Sequence, residues 1–166
     1  MMETPQMKLM NNLQNNFSMP HVKRIGEIKN TVELHTCSTQ VNLLFNVLNL
    51  LLGEKRYVCI TGKDDVGKAF GIRFLEMSLD GHDGKMVCVD RIEMETQGSG
   101  SGSALMELVC KWADQNGVTL TLTPSVSFGA SSVTRLVGFY KRFGFVYNKG
   151  RYTIFGTRQA MYRLPK

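Results

Sequence analysis

The spacing of hydrophobic positions along this chain changes several times, and each change marks an element. Ser38 can cap a helix in which Val41, Leu44, Phe45, Leu48, Leu51 and Leu52 recur at three- and four-residue steps until Gly53 stops it. Before it, Arg24 to His35 alternates irregularly, but Thr31, Val32 and Leu34 favour extended structure and predict a first strand. Residues 1–20 are rich in Met, Asn and Gln, show no packing face and end at Pro20, which reads as an N-terminal arm preceding one domain over 21–166. Tyr57 to Thr61 and Ala69 to Leu79 read as two strands of a hairpin turning at Asp64 to Gly67. After a turn at Gly81 to Gly84, Lys85 to Met94 carries Met86, Val87, Cys88, Val89 and Ile92, a strand buried on much of both faces.

From Ser103 the period becomes helical, with Ala104, Leu105, Leu108, Val109, Trp112 and Ala113 on one side and Asn116-Gly117 as the stop. Val118, Leu120 and Leu122 then alternate with Thr119, Thr121 and Thr123 as a strand does. Pro124 to Ala130 is a loop. Ser131 or Ser132 can cap a helix bearing Val133, Leu136, Val137 and Tyr140, with Gly144 suited to the left-handed position beyond it. Two short strands follow, Phe145 to Tyr147 and Gln159 to Leu164, the second with Ala160, Tyr162 and Leu164 on one face.

Composition narrows the class without choosing a function. A chain of 166 residues that is 43% hydrophobic and 20% charged is ordinary for one globular domain. Its longest apolar stretch, Val41 to Leu52, is broken by Asn42, Asn46 and Asn49 and is shorter than the roughly 20 residues a bilayer span needs, so no membrane partner and a cytoplasmic location are expected. Cys37, Cys59, Cys88 and Cys110 are far apart in apolar surroundings, and His21, His35 and His82 lack ligand spacing; reduced core thiols and no metal are expected. The net charge of +6 gathers toward the C-terminus in Lys141, Arg142, Lys149, Arg151, Arg158, Arg163 and Lys166. A solvated basic face explains that gathering, and attraction to a phosphorylated cofactor or to RNA explains it as well.

Chemistry concentrates in the run Gln97-Gly98-Ser99-Gly100-Ser101-Gly102. A buried strand ends just before it and an amphipathic helix starts just after it. A helix N-terminus offers unpaired N–H groups and partial positive charge, glycines let a backbone approach phosphates, and Ser99, Ser101 and Ser103 add hydroxyl donors. A flexible Gly-Ser linker has the same composition, but a linker separates domains and does not join a strand to a helix. Gly62, Gly67 and Lys68 form a second pattern, G-x-x-x-x-G-K, close to a nucleotide-binding P-loop. Ala69 stands there in place of the magnesium-binding Ser or Thr, Asp64 and Asp65 place negative charge in the cradle, and the alternation of Phe70, Ile72 and Phe74 predicts a strand where a P-loop needs a helix.

Two motifs together resemble the GNAT superfamily of acyl-coenzyme A dependent N-acetyltransferases. One is the glycine turn just described, continued by Ser103-Ala104-Leu105; the other is Phe139-Tyr140-Lys141-Arg142-Phe143-Gly144-Phe145. The resemblance covers the chain from about Tyr57 onward, and the first fifty residues match only in element order. Val133 and Leu136 depart from the Asn and Ala that many members carry at these positions. The resemblance implies an α/β fold: a mixed, mostly antiparallel sheet of six to seven strands, its central strands splayed, with helices on both faces. It further implies transfer of an acetyl group from acetyl-coenzyme A to a primary amine of a small molecule, a protein or an aminoacyl-tRNA. The pyrophosphate would lie on Gln97, Gly98, Ser99, Gly100, Ser101, Gly102 and Ser103, and the pantetheine arm would pair with the backbone of Asp90, Arg91 and Ile92. Tyr140 would protonate the leaving thiolate; Glu76, His82, Asp90, Glu93 and Glu95 are the candidate bases, with a chain of water molecules as the alternative. RNA and a second copy of the chain are further candidate partners, and a non-catalytic binding or assembly module is the alternative to an enzyme.

Overall fold

The computed structural model describes the backbone from Thr31 and the side chains from Ser38, in each case through Lys166. The N-terminal arm and the first residues of the strand expected over Arg24 to His35 lie outside the described residues. Thr31–Val41 is the described part of one compact unit, and Asn42–Lys166 forms a second, which contains all of the sheet.

Helix α1 spans Thr31–Asn49 and passes into a 3-10 turn at Leu50–Leu52. It corrects two expectations: Thr31 to His35 is helical, not extended, and the helix does not begin at Ser38. The β preference of Thr31 and Val32 is a weak bias, and no Gly or Pro interrupts the chain from Thr31 to Leu52. Six strands make one sheet in the order β1-β2-β3-β4-β6-β5: β1 Tyr57–Thr61, β2 Ile72–Leu79, β3 Met86–Met94, β4 Thr119–Leu122, β5 Val146–Tyr147 and β6 Met161–Arg163. Every neighbouring pair is antiparallel except β3 with β4. The fold is therefore the mixed, mostly antiparallel α/β class expected from the resemblance.

The antiparallel pairing of β1 and β2 was foreseen, but a helix, α2 (Asp65–Phe70), joins them, so Ala69 and Phe70 are helical and not strand. Gly67 allows this helix to seat on the end of β1, since a Cβ there would stand 1.8 Å from the Thr61 carbonyl oxygen. The loop before α2 holds its own anion: the Asp64 carboxylate accepts from the Thr61 N–H at 2.7 Å. That fills the position a nucleotide phosphate would need.

Helix α3 runs over Ser101–Asn116, two residues earlier than the hydrophobic period indicates, and Gly117 closes it at φ 64°. Helix α4 runs over Val133–Lys141, with the Ser132 hydroxyl accepting from the Arg135 N–H at 3.1 Å. Consecutive residues of the central strands, Val87 to Val89 and Leu120 to Leu122, are buried, so both faces of the sheet are covered there. Leu44 and Leu48 from α1, Leu105, Val109 and Trp112 from α3, and Val137 and Tyr140 from α4 share the core with these strands. The Trp112 indole donates to the Asn49 side-chain oxygen Oδ1 at 2.9 Å, fixing the end of α1 beside α3. In β6 all three residues are buried, while Ala160 and Leu164 are exposed, which corrects the face assigned to Ala160, Tyr162 and Leu164. Arg163 is buried because the Asp114 carboxylate accepts from it twice, at 2.7 and 2.9 Å, and the Phe143 carbonyl accepts a third bond at 2.7 Å. Among the described residues no helix is long and apolar enough to cross a membrane, and no group of three or more His, Cys, Asp or Glu could hold a metal ion.

Candidate functional site

The site begins with how β3 is held. On one side it pairs with β2 along its length, but Met77 faces Val89 and Glu76 faces Arg91, leaving Asp90 as an extra residue. This β-bulge bends the strand and raises its twist. On its other side β3 pairs with β4 only through Met86, Val87 and Cys88, and β4 ends at Leu122. Beyond Cys88, β3 runs on past the end of β4, and the peptide groups of Val89 to Met94 on that edge have no strand partner among the described residues. Asp90, Arg91 and Ile92 lie on this unpaired stretch.

Helix α4 comes to this splayed edge. Tyr140 lines a small open cleft together with Val89, Asp90, Arg91 and Ile92 of β3, Leu122 at the end of β4, and Phe128. The Tyr140 ring is 6% exposed and packs edge-on against Phe139 and Phe145, at 5.2 and 5.7 Å between centroids. Burial pushes its phenol up to about 12, so it stays protonated at neutral pH. Its hydroxyl makes no hydrogen bond to another described residue.

Of the candidate bases, only Asp90 lines this cleft. Glu93 is held by Arg91 at 2.7 Å and by Arg73 at 3.3 Å. Glu76 faces Cys59 across the β1–β2 pair, and the side chain of Glu95 lies against Gly62. His82 sits in the turn before β3, at the opposite end of the strand from the glycine turn, which removes it from the candidates. The four-cysteine core also needs correction: Cys88 and Cys110 are buried, Cys59 is exposed, and the Cys37 side chain lies outside the described ones.

The glycine turn follows β3 directly. Gly98 and Gly100 adopt φ of 77° and 81°, which only glycine takes without strain, and the space beside both is open. Gly100 caps α3, so Ser101, Gly102 and Ser103 form its first turn, and that turn carries no acidic residue. The backbone N–H groups of Gly102 and Ser103 meet no backbone acceptor, as expected at a helix start. Ser99 and Ser101 share a hydroxyl–hydroxyl bond of 2.9 Å. Gln97 plays a structural part too: its amide donates to the Gly129 carbonyl at 3.3 Å and ties the turn to the loop before α4.

Beyond Gln97 the cleft continues as a solvent-open groove of about 1090 Å³ along α4, and Ala130 and Leu136 line both spaces. Arg135 and Arg142 border this groove, both exposed and neither in a salt bridge with a described residue. Arg135 on α4 and Arg142 at its C-terminal cap are seven residues apart, a spacing that would have placed them on one face from the sequence alone. Phe128 could not be found that way. It belongs to a 3-10 turn at Val126–Phe128, and its ring lies 4.6 Å from the Arg91 guanidinium, which also stacks on Phe74 at 3.8 Å. The Arg91 side chain is thereby occupied, leaving its backbone for any ligand.

Among solved structures, the crystal structure of the anti-CRISPR protein AcrVA5 is similar to this chain. The two share 23% identity over 55% of this chain and 88% of that one, with a TM-score of 0.43. No protein-family model matches the chain, and no curated protein does.

Proposed function

We propose that this protein is an N-acetyltransferase that takes its acetyl group from acetyl-coenzyme A and gives it to a primary amine. The observation that carries this reading is the cleft that Tyr140 shares with the unpaired edge of β3 at the Asp90 bulge, adjoining a groove lined by Gln97, the residue that opens the glycine turn. An extended amide-bearing arm suits the open peptide edge of Asp90, Arg91 and Ile92, a diphosphate suits the first turn of α3, and Arg135 and Arg142 add positive charge to the groove that reaches Gln97. When bound, acetyl-coenzyme A supplies an activated thioester.

The chain's own groups then have separable tasks. Tyr140 holds a proton next to the open edge, where a leaving thiolate needs one. Open N–H groups of β3 polarise a carbonyl laid along that edge. Asp90 is the carboxylate placed to receive a proton from an incoming amine. Acetyl-coenzyme A should raise the melting temperature, and a panel of amines should yield at least one that releases free thiol. A chain that shows no thermal shift with acetyl-coenzyme A does not have this function.

A further inference from the structure

The 52 residues after Asp114 hold eight of the 20 Lys and Arg of the chain and none of its 14 Asp and Glu. Only Arg163 among these eight forms a salt bridge with a described residue, the Asp114 pair. The other seven are exposed. Two of them, Arg135 and Arg142, border the groove described above, and four others, Lys141, Lys149, Arg151 and Arg158, belong to the end of α4 and to the loop that follows the edge strand β5.

There, Lys141 and Lys149 lie 4.8 and 4.6 Å from the centre of the Tyr147 ring. The chain next forms a loop over 149–160 that is fixed from inside. The Asn148 amide donates to the Thr157 and Gln159 carbonyls at 3.4 and 3.2 Å, and its oxygen accepts from the Ile154 N–H at 2.8 Å. The Tyr162 hydroxyl donates to the Tyr152 carbonyl at 2.6 Å, and Thr157 donates to Asp80, a carboxylate that Thr121 also engages. A loop held this firmly nevertheless turns its largest rings outward: Phe155 is 95% exposed and Tyr152 64%. Arg151 and Arg158 flank them.

We infer that this edge, from Lys141 through the 149–158 loop, binds single-stranded nucleic acid. Cations set among outward aromatic faces offer phosphate contacts and stacking platforms together, and stacking tolerates any base sequence. A membrane surface would need a cluster of aliphatic side chains outside the sheet, whereas Ile154 is half-buried and Phe155 is the one large side chain of the loop without a polar atom that protrudes. None of these residues lines the cleft or the groove, so the inference is independent of the acetyl-transfer reading.

The test is fluorescence anisotropy with a labelled mixed-sequence RNA of roughly 16 nucleotides, measured from low to moderate salt without acetyl-coenzyme A. Four phosphate contacts predict a log–log salt slope of about −3, or roughly a fiftyfold loss of affinity between 50 and 200 mM salt. Arg151→Ala with Arg158→Ala should flatten the slope by about 1.4. Tyr152→Ala with Phe155→Ala should weaken binding fivefold or more with the slope unchanged. These positions are exposed, so circular dichroism melts of the variants should overlay the parent. Failure to bind at low salt, or binding that both loop variants leave intact, overturns the inference. So does partition onto phosphatidylserine vesicles without binding to the RNA.

Discussion

Replacing Ser103 with aspartate separates what the start of α3 does for the fold from what it does for a ligand. Ser103 is the third helical residue, its N–H has no backbone acceptor, and the first turn lacks any acidic side chain. A carboxylate there meets the positive end of the helix and should stabilise the free protein by about 0.3–1 kcal/mol, raising the melting temperature by about 1–3 °C. The same carboxylate would stand roughly 5 Å from a diphosphate carrying about two charges. Even at a water-like dielectric that repulsion is about 1.7 kcal/mol, or roughly seventeenfold in Kd. At an acetyl-coenzyme A concentration of about 100 times the parent Kd, ligand stabilisation should fall from about 2.7 to about 1.1 kcal/mol. Differential scanning fluorimetry with and without acetyl-coenzyme A reads both effects in one experiment. A variant that melts higher alone but keeps the full ligand shift would refute the placement of phosphate at this turn. The glycines are poorer probes, since any side chain at Gly98 or Gly100 strains a left-handed backbone and confuses binding with folding.

Other perturbations test separate parts of the structure. Tyr140→Phe should lower kcat at least tenfold while leaving the acetyl-coenzyme A thermal shift intact; in the unmodified protein the raised phenol favours folding below about pH 10, and that contribution should fade as pH rises toward about 12, with the Phe variant flatter over the same range. Asp114→Ala leaves the Arg163 guanidinium buried without its carboxylate and should cost about 3 kcal/mol in urea denaturation. In the unmodified chain the bond from Arg163 holds the Asp114 carboxyl below its ordinary value, so its contribution is present above about pH 4 and lost as pH falls through the lowered value. Burial pushes Cys88 up to about 12 and Cys110 up to about 11, so iodoacetamide at pH 8 should label Cys59 and spare those two until the protein unfolds, as read by peptide mass mapping.

The features legible before any coordinates were local ones. Ser132 as a cap, Gly117 as a stop and the glycine turn each depend on a few adjacent residues whose backbone demands are specific. The approach of Tyr140 to β3 was expected only through the paired motifs, because nothing in either segment alone brings them together. Helix α2 escaped notice because six residues are too few to establish a period, and its deciding contact, Gly67 against Thr61, joins residues from two elements. The bulge at Asp90 has no signature in composition: it exists only as a mismatch in register between two strands. Charge counting likewise treated Arg163 as one more surface cation, since burial beside Asp114 depends on where α3 ends and β6 lies. The Phe74–Arg91–Phe128 stack draws on three segments, the last of them read as a bare loop.

The departure of β3 from β4 has a consequence for how such a site can change. A ligand held along Val89 to Met94 would be gripped by peptide groups, which are the same whatever side chains flank them. Donor capture then places almost no demand on the side chain of Ile92, which is neither the proposed base nor part of the Phe74–Arg91–Phe128 stack, and this position becomes a place where acceptor preference can drift, or be bred, without forfeiting the donor. A library randomised there should contain many members that still take up acetyl-coenzyme A yet choose different amines.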